Sequence, residues 1–127
     1  MKVKPTLMVW IFASILAGCS TMMGEAAPAH VQGGVLVDAK GMTLYTFDKD
    51  PANSGKSECV AQCAKAWPPL AAPSDAKPVG EYTVITRTDG MKQWAYKGKP
   101  LYTWVKDAKP GDMTGDGFRN VWRVARP

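Results

Sequence analysis

From Gly33 onward the apolar positions fall in short runs, each closed by Gly, Asp, Asn or Pro, which is the punctuation of a β protein. Val35-Leu36-Val37, a turn around Asp38-Ala39-Lys40-Gly41, and Thr43 to Phe47 form one hairpin candidate. Tyr82 to Thr88 is rich in β-branched and aromatic residues and meets Asp89-Gly90, a strong signal for a two-residue hairpin loop. Gln93 to Tyr96, Lys97-Gly98 and Leu101 to Val105 continue the pattern, and Val121 to Val124 makes a last short strand. One helix is predicted, over Ser57 to Ala66, with Ser57 as its N-cap and Glu58 well placed in the first turn. Pro68 disfavours continuation through Trp67. The fold class that follows is mainly β: a small antiparallel domain with one short helix.

The N-terminus follows a different pattern. Met1 to Lys4 is short and positive, and Leu7 to Ala17 is an apolar run of 11 residues. A spanning helix needs about 20 apolar residues, so this run matches the hydrophobic region of a secretory signal instead. It ends in Leu16-Ala17-Gly18-Cys19, which resembles the lipobox of bacterial lipoproteins. That resemblance implies cleavage before Cys19, a fatty-acylated Cys19, and attachment to a membrane through the lipid. Several acyl chains hold a protein stably where one does not, at about 0.8 kcal/mol per buried CH₂. Ser20 stands where an Asp would resemble an inner-membrane retention mark, so the expected address is the outer membrane, facing the periplasm. Residues 1–18 are therefore expected as signal peptide, 19–32 as lipidated Cys and flexible tether, and 33–127 as one folded domain. His30, the one His, is expected as a solvated tether residue.

Composition narrows the function. The formal charge of +5 falls to +3 once Lys2 and Lys4 leave with the signal, too mild and too scattered for a nucleic-acid binder. Lys92, Lys97, Lys99, Lys106 and Lys109 make the second half basic, as a solvated face. A hydrophobic fraction of 46% with five Trp argues against disorder. A domain near this length buries roughly 65% of its unfolded surface, enough for a core of its own. One His and no Ser/His/Asp set argue against an enzyme.

The folded part contains an internal repeat. Gly41-Met-Thr-Leu-Tyr-Thr-Phe47 aligns with Gly98-Lys-Pro-Leu-Tyr-Thr-Trp104, and Asp50 with Asp107. Trp67 and Trp122 follow at similar distances. Two copies are too few for a solenoid, so a pseudo-symmetric single domain is expected. Tyr45-x-Phe47-x-x-Asp50 and Tyr102-x-Trp104-x-x-Asp107 resemble the Tyr-x-aromatic-x-x-Asp motif of a family of predicted bacterial lipoproteins and secreted repeats. The Cys-bearing segment running into Trp67-Pro68-Pro69-Leu70, Asp89-Gly90 and the Gly-rich loop before Trp122 support the resemblance, which covers about residues 34 to 125. It implies no particular activity. Within a strand, residues two apart share a face, so Tyr45 and Phe47 point together, as do Tyr102 and Trp104. An Asp three residues later can accept backbone N–H bonds and fix the start of a loop. The motif thus reads as aromatic core plus loop lock, with a ligand platform of aromatic faces and an acid as the alternative.

Cys59-Val-Ala-Gln-Cys63 carries the remaining chemistry. Secreted proteins meet oxidants, and residues four apart on a helix lie about 6 Å apart, so a disulfide is expected. Two alternatives stay open. Thiols beside Lys56 and Lys65 could serve redox exchange, and the Cys-x-x-x-Cys spacing resembles copper-delivery proteins, although the folded region has no His to complete such a site. Asp112 to Gly117 imitates the start of a calcium loop, but Arg123 occupies the position where that loop needs Glu, so a turn is expected. No metal and no cofactor are expected. The sequence points to a membrane-anchored periplasmic lipoprotein whose folded part is a non-catalytic binding or scaffold module for a small-molecule or protein partner. The alternative function is a periplasmic redox or copper-handling protein using Cys59 and Cys63.

Overall fold

A computed structural model describes residues 26–127. In chain order these form β1 (His30–Gln32), β2 (Val35–Val37), β3 (Tyr45–Phe47), α1 (Gln62–Ala66), β4 (Tyr82–Thr86), β5 (Lys92–Tyr96), β6 (Lys99–Pro100) and β7 (Trp122–Val124). The strands make three small antiparallel sheets, β1-β2, β3-β7 and β4-β5-β6. Among the described residues the fold is mainly β, with one lone α-helix and a 3₁₀ turn at Phe118–Asn120. The apolar run of the N-terminus and Cys19 lie outside the described residues.

Alternation along the strands builds two cores at once. Tyr45, Tyr102, Val35, Val37 and Val124 enter one cluster, centred on Trp67, Trp104 and Trp122. Their chain neighbours Leu44, Leu101, Leu36 and Ala125 enter a second cluster with Trp94 and Tyr82. Successive side chains of a strand point to opposite faces, so the continuous apolar runs Val35-Leu36-Val37 and Leu101-Tyr102 are segments buried on both sides.

Tyr45 and Tyr102 sit side by side and exchange both backbone hydrogen bonds, at 2.8 and 2.9 Å. They are the same position of the two repeats, and an antiparallel pair bonded to itself in this way lies on a local two-fold axis. The surrounding bonds repeat about that axis. Leu36 N–H donates to Ala125 C=O, as Trp94 does to Leu70. Ala125 N–H donates to Leu44 C=O, as Leu70 does to Leu101. The strand that ends each repeat therefore lies on the other repeat: β7 pairs with β3, and the segment around Pro69 bridges to Tyr102.

Four local expectations are corrected. Residues 30–32, assigned to the tether, form β1 and pair with β2, and Ala29 is buried. The turn between them is Gly33-Gly34, with φ of 61° and 80°. A type I′ two-residue hairpin turn needs both central residues at positive φ, which glycine adopts without penalty. The loop joining β4 to β5 has three residues, because Arg87 N–H bonds Met91 C=O and Gly90 takes φ 85°. Beyond Lys99–Pro100 the predicted strand is reduced to single bridges at Tyr102, shared between Tyr45 and Pro69.

The helix is the fourth. It starts after Ala61, so Ser57 is not its N-cap and Glu58 is not in its first turn. The backbone ahead of it is committed elsewhere: Glu58 N–H to Asp50 Oδ1 and Cys59 C=O to the Arg87 guanidinium, both at 2.6 Å. With the Cys59 carbonyl turned to Arg87, Cys63 N–H bonds Val60 C=O instead, so the ladder does not begin at Cys59.

Candidate functional site

The repeated motif closes between the repeats. Tyr45 Oη donates to Asp107 Oδ2 at 2.6 Å, and Tyr102 Oη donates to Asp50 Oδ2. The other oxygen of each acid holds a loop: Asp50 Oδ1 accepts Glu58 N–H, and Asp107 Oδ1 accepts both N–H and Oγ1 of Thr114. Each Asp thus ties its own loop to the opposite Tyr. Both Tyr side chains are fully buried, and Asp50 and Asp107 nearly so. Burial, then the bonded acid, raises both phenols well above the ordinary tyrosine range, so both remain proton donors.

The two closures are backed differently. Gly115 N–H donates to Tyr45 Oη at 3.3 Å. On the other side Arg87, only 5% exposed, donates to Ser57 Oγ and Gln93 Oε1, each at 2.8 Å, and to Cys59 C=O. Ser57 Oγ lies 2.6 Å from Tyr102 Oη. With the Tyr102 proton given to Asp50, the chain runs from guanidinium through Ser57 and Tyr102 to carboxylate. Burial is the largest influence on Asp50 and holds its carboxyl above the usual range, against the lowering effect of Tyr102 and the Glu58 N–H. Sequence reasoning missed Arg87, Ser57 and Gln93, because an Arg flanking a hairpin loop ordinarily reads as exposed. Among the described residues no buried side-chain polar atom lacks a partner.

Above these closures four rings stack. Phe47 lies on Trp122 at 4.3 Å between centroids, Trp122 on Trp67 at 3.8 Å, and Trp67 on Trp104 at 3.9 Å. The order is symmetric, with the equivalent residues Trp122 and Trp67 at the centre and Phe47 and Trp104 at the ends. Tyr45 meets Trp67 edge-on and Tyr102 meets Trp122 in the same way. Such contacts are worth about 0.5–1.5 kcal/mol each beyond their buried area. Tyr45, Tyr102 and Trp104 of the motifs are buried in this cluster, Phe47 is partly buried against it, and the motif acids hold loop N–H groups.

The ladder nevertheless borders open space. A cleft of about 540 Å³ is lined by the four rings and Phe118, with Lys49, Gln62 and Arg119 among its polar residues. A second concavity, of about 370 Å³, runs beside β7 with Lys97, Lys99, Arg123 and Arg126. Within it Arg123 is held by Asp48 at 3.0 Å.

Cys59 and Cys63 are joined by a disulfide, with Cα atoms 5.1 Å apart. Cys59 precedes the helix rather than riding on it, and Ala61 between them takes φ 54°. With the sulfurs bonded to each other, neither is a thiolate that could hold copper. In the calcium-like loop, Asp112 accepts from Ala108 and Lys109 N–H, and Asp116 accepts from Val124 N–H. Those carboxylates hold a turn. Among the described residues no three His, Cys, Asp or Glu side chains gather as a metal site, and no helix is long and apolar enough to cross a membrane.

No curated protein and no solved structure matches this chain. A family of secreted repeats does, twice, over residues 29–71 and 83–126. Each match ends with the strand that crosses to the other repeat, so the two matched segments are the two pseudo-symmetric halves. With both halves covered, the chain belongs to the family described as a secreted repeat of unknown function.

Proposed function

We propose that this protein is a cell-envelope lipoprotein, held to the outer membrane by fatty acid on Cys19, whose periplasmic domain binds a ligand and performs no reaction on it. The secreted character of the family supports the envelope location. One observation carries the non-catalytic reading: the conspicuous polar groups of both motifs are spent inside the fold. Tyr45, Tyr102, Asp50, Asp107, Ser57 and Arg87 bond one another, Gln93, Thr114 or backbone. A general acid or base needs a free position within reach of substrate, and these groups have none. The aromatic cleft supplies the binding face, since concave apolar sites with a few polar groups at the rim are where small ligands settle.

Membrane fractionation with mass spectrometry tests the anchor. Wild-type protein is expected in the outer-membrane fraction with acyl chains on Cys19, and Cys19→Ser protein is expected without them. Acyl chains persisting on the variant would overturn the assignment. Turnover of a substrate in the cleft would overturn the non-catalytic part.

A further inference from the structure

We infer that the cleft takes an anionic, planar aromatic molecule; this rests on the reading of the domain as a binding module. Trp67, Trp104 and Trp122 line it together with Phe47 and Phe118. The volume, about 540 Å³, lies in the range of small-ligand sites. A lining of five aromatic side chains offers another ring stacked or edge-to-face contacts, worth about 0.5–1.5 kcal/mol beyond the buried area, which an alkyl chain does not gain.

The sign of the guest follows from the charged residues of the lining. Of the residues lining the cleft, Lys49 and Arg119 are the charged ones, both positive, and no carboxylate joins them. Asp50, next to Lys49, is turned inward to Tyr102 and Glu58. Among the described residues neither cation is in an ion pair. Two like charges in a cleft with a low-dielectric lining attract an anion and repel a cation.

Arg119 is also held in place. It takes φ 49° and ψ 20°, and Asn120 takes φ 60°, a left-handed stretch that non-glycine residues rarely adopt. The loop is fixed by Gly117 N–H to Trp122 C=O and by Arg123 to Asn120 C=O. The guanidinium lies 5.4 Å from the Phe118 ring, and both residues line the cleft. Backbone strain of this kind persists where surrounding structure enforces it, and ligand clamps are a common setting.

Two dyes test the inference on the full chain carrying Cys19→Ser, which has no lipid to compete. Anilinonaphthalene sulfonate is an anionic planar aromatic, and phenylnaphthylamine is the same body without the sulfonate. Energy transfer from the ladder tryptophans reports occupancy of the cleft. The anionic dye is expected to bind at one per chain, about tenfold tighter than the neutral one. Lys49→Glu with Arg119→Glu is expected to remove that preference and leave the neutral dye unchanged. Phe118→Ala is expected to weaken both, and near-ultraviolet circular dichroism checks that the ladder is intact in every variant. Equal binding of the two dyes, or a preference surviving charge reversal, would overturn the anionic assignment while leaving a binding cleft. Binding of neither dye to the folded chain would overturn the binding reading as well.

Discussion

The hydroxyl of Tyr45 reaches Asp107, an acid 62 residues away in the other repeat, at 2.6 Å. Tyr102 reaches back to Asp50 across 52 residues. Each repeat carries a complete Tyr and Asp, yet neither uses its own. Together with the exchange of terminal strands, this makes the two repeats one cooperative unit.

A double-mutant cycle separates the two pairings. Tyr45→Phe with Asp107→Asn should show a coupling of about 0.5–3 kcal/mol in urea melts, as bonded neighbours do. Tyr45→Phe with Asp50→Asn should be additive within about 0.5 kcal/mol, because these residues share no hydrogen bond. Coupling within a repeat and additivity between repeats would contradict the crossed arrangement.

Gly115 is buried where a side chain has no room. A Cβ built there would lie 2.6 Å from Trp67 Cη2 and 3.1 Å from Trp104 Cδ1. Both contacts are on stacked indoles that cannot swing aside. Gly115→Ala should therefore destabilise by about 1–3 kcal/mol, the usual result of overfilling a packed core. Thermal melts check it, with Gly111→Ala as a comparison at a position whose Cβ would meet nothing within 4 Å but whose φ is 92°. Gly115→Ala melting like wild type would mean that the ladder is loosely packed.

Stability should carry a mark of the buried acid. The folded pKa of Asp50 lies above its unfolded value, with burial as the first cause. The folded state then holds the proton more tightly, so this contribution is full below the unfolded pKa and is lost as pH rises through the folded one. Asp50→Asn has no such proton. Across a window starting near the ordinary aspartate value of about 3.9, wild type should lose stability relative to the variant as pH rises, and the difference should then level off. Urea midpoints measured in parallel decide it. A difference moving in favour of wild type with rising pH would reverse the sign.

The disulfide closes a very small loop. Oxidised protein should weigh about 2 Da less than its reduced form, and opening the bridge should cost about 2 kcal/mol in the chain-entropy account. Alkylation of both Cys59 and Cys63 in protein taken from the periplasm without reduction would remove the bridge and restore the thiol chemistry set out above.

Much of the local structure is written in short stretches of sequence. Alternation and turn residues mark β2, β4 and β5, and the Gly33-Gly34 pair marks β1 to anyone who reads it as a hairpin rather than a linker. Cys59 and Cys63 meet because only three residues lie between them. The motif Asp residues bond loop N–H groups seven and eight positions on, within the reach of a local reading.

Partner choice is a different matter. The two motifs share their aromatic-acid pattern, so closure within a repeat and closure between repeats look alike in the sequence. The arrangement at the two-fold axis decides between them, because Tyr45 and Tyr102 lie antiparallel and each ring is carried toward the other repeat's acid. The same packing buries Arg87, withdraws Ser57 and Cys59 from the helix, and gathers rings from four distant segments into one ladder. Sequence determines which backbone shapes and which faces each short segment prefers. Which segments meet depends on closing loops of about thirty residues or more, where no local preference discriminates and only the shared burial of both repeats makes one pairing lower in free energy than the other.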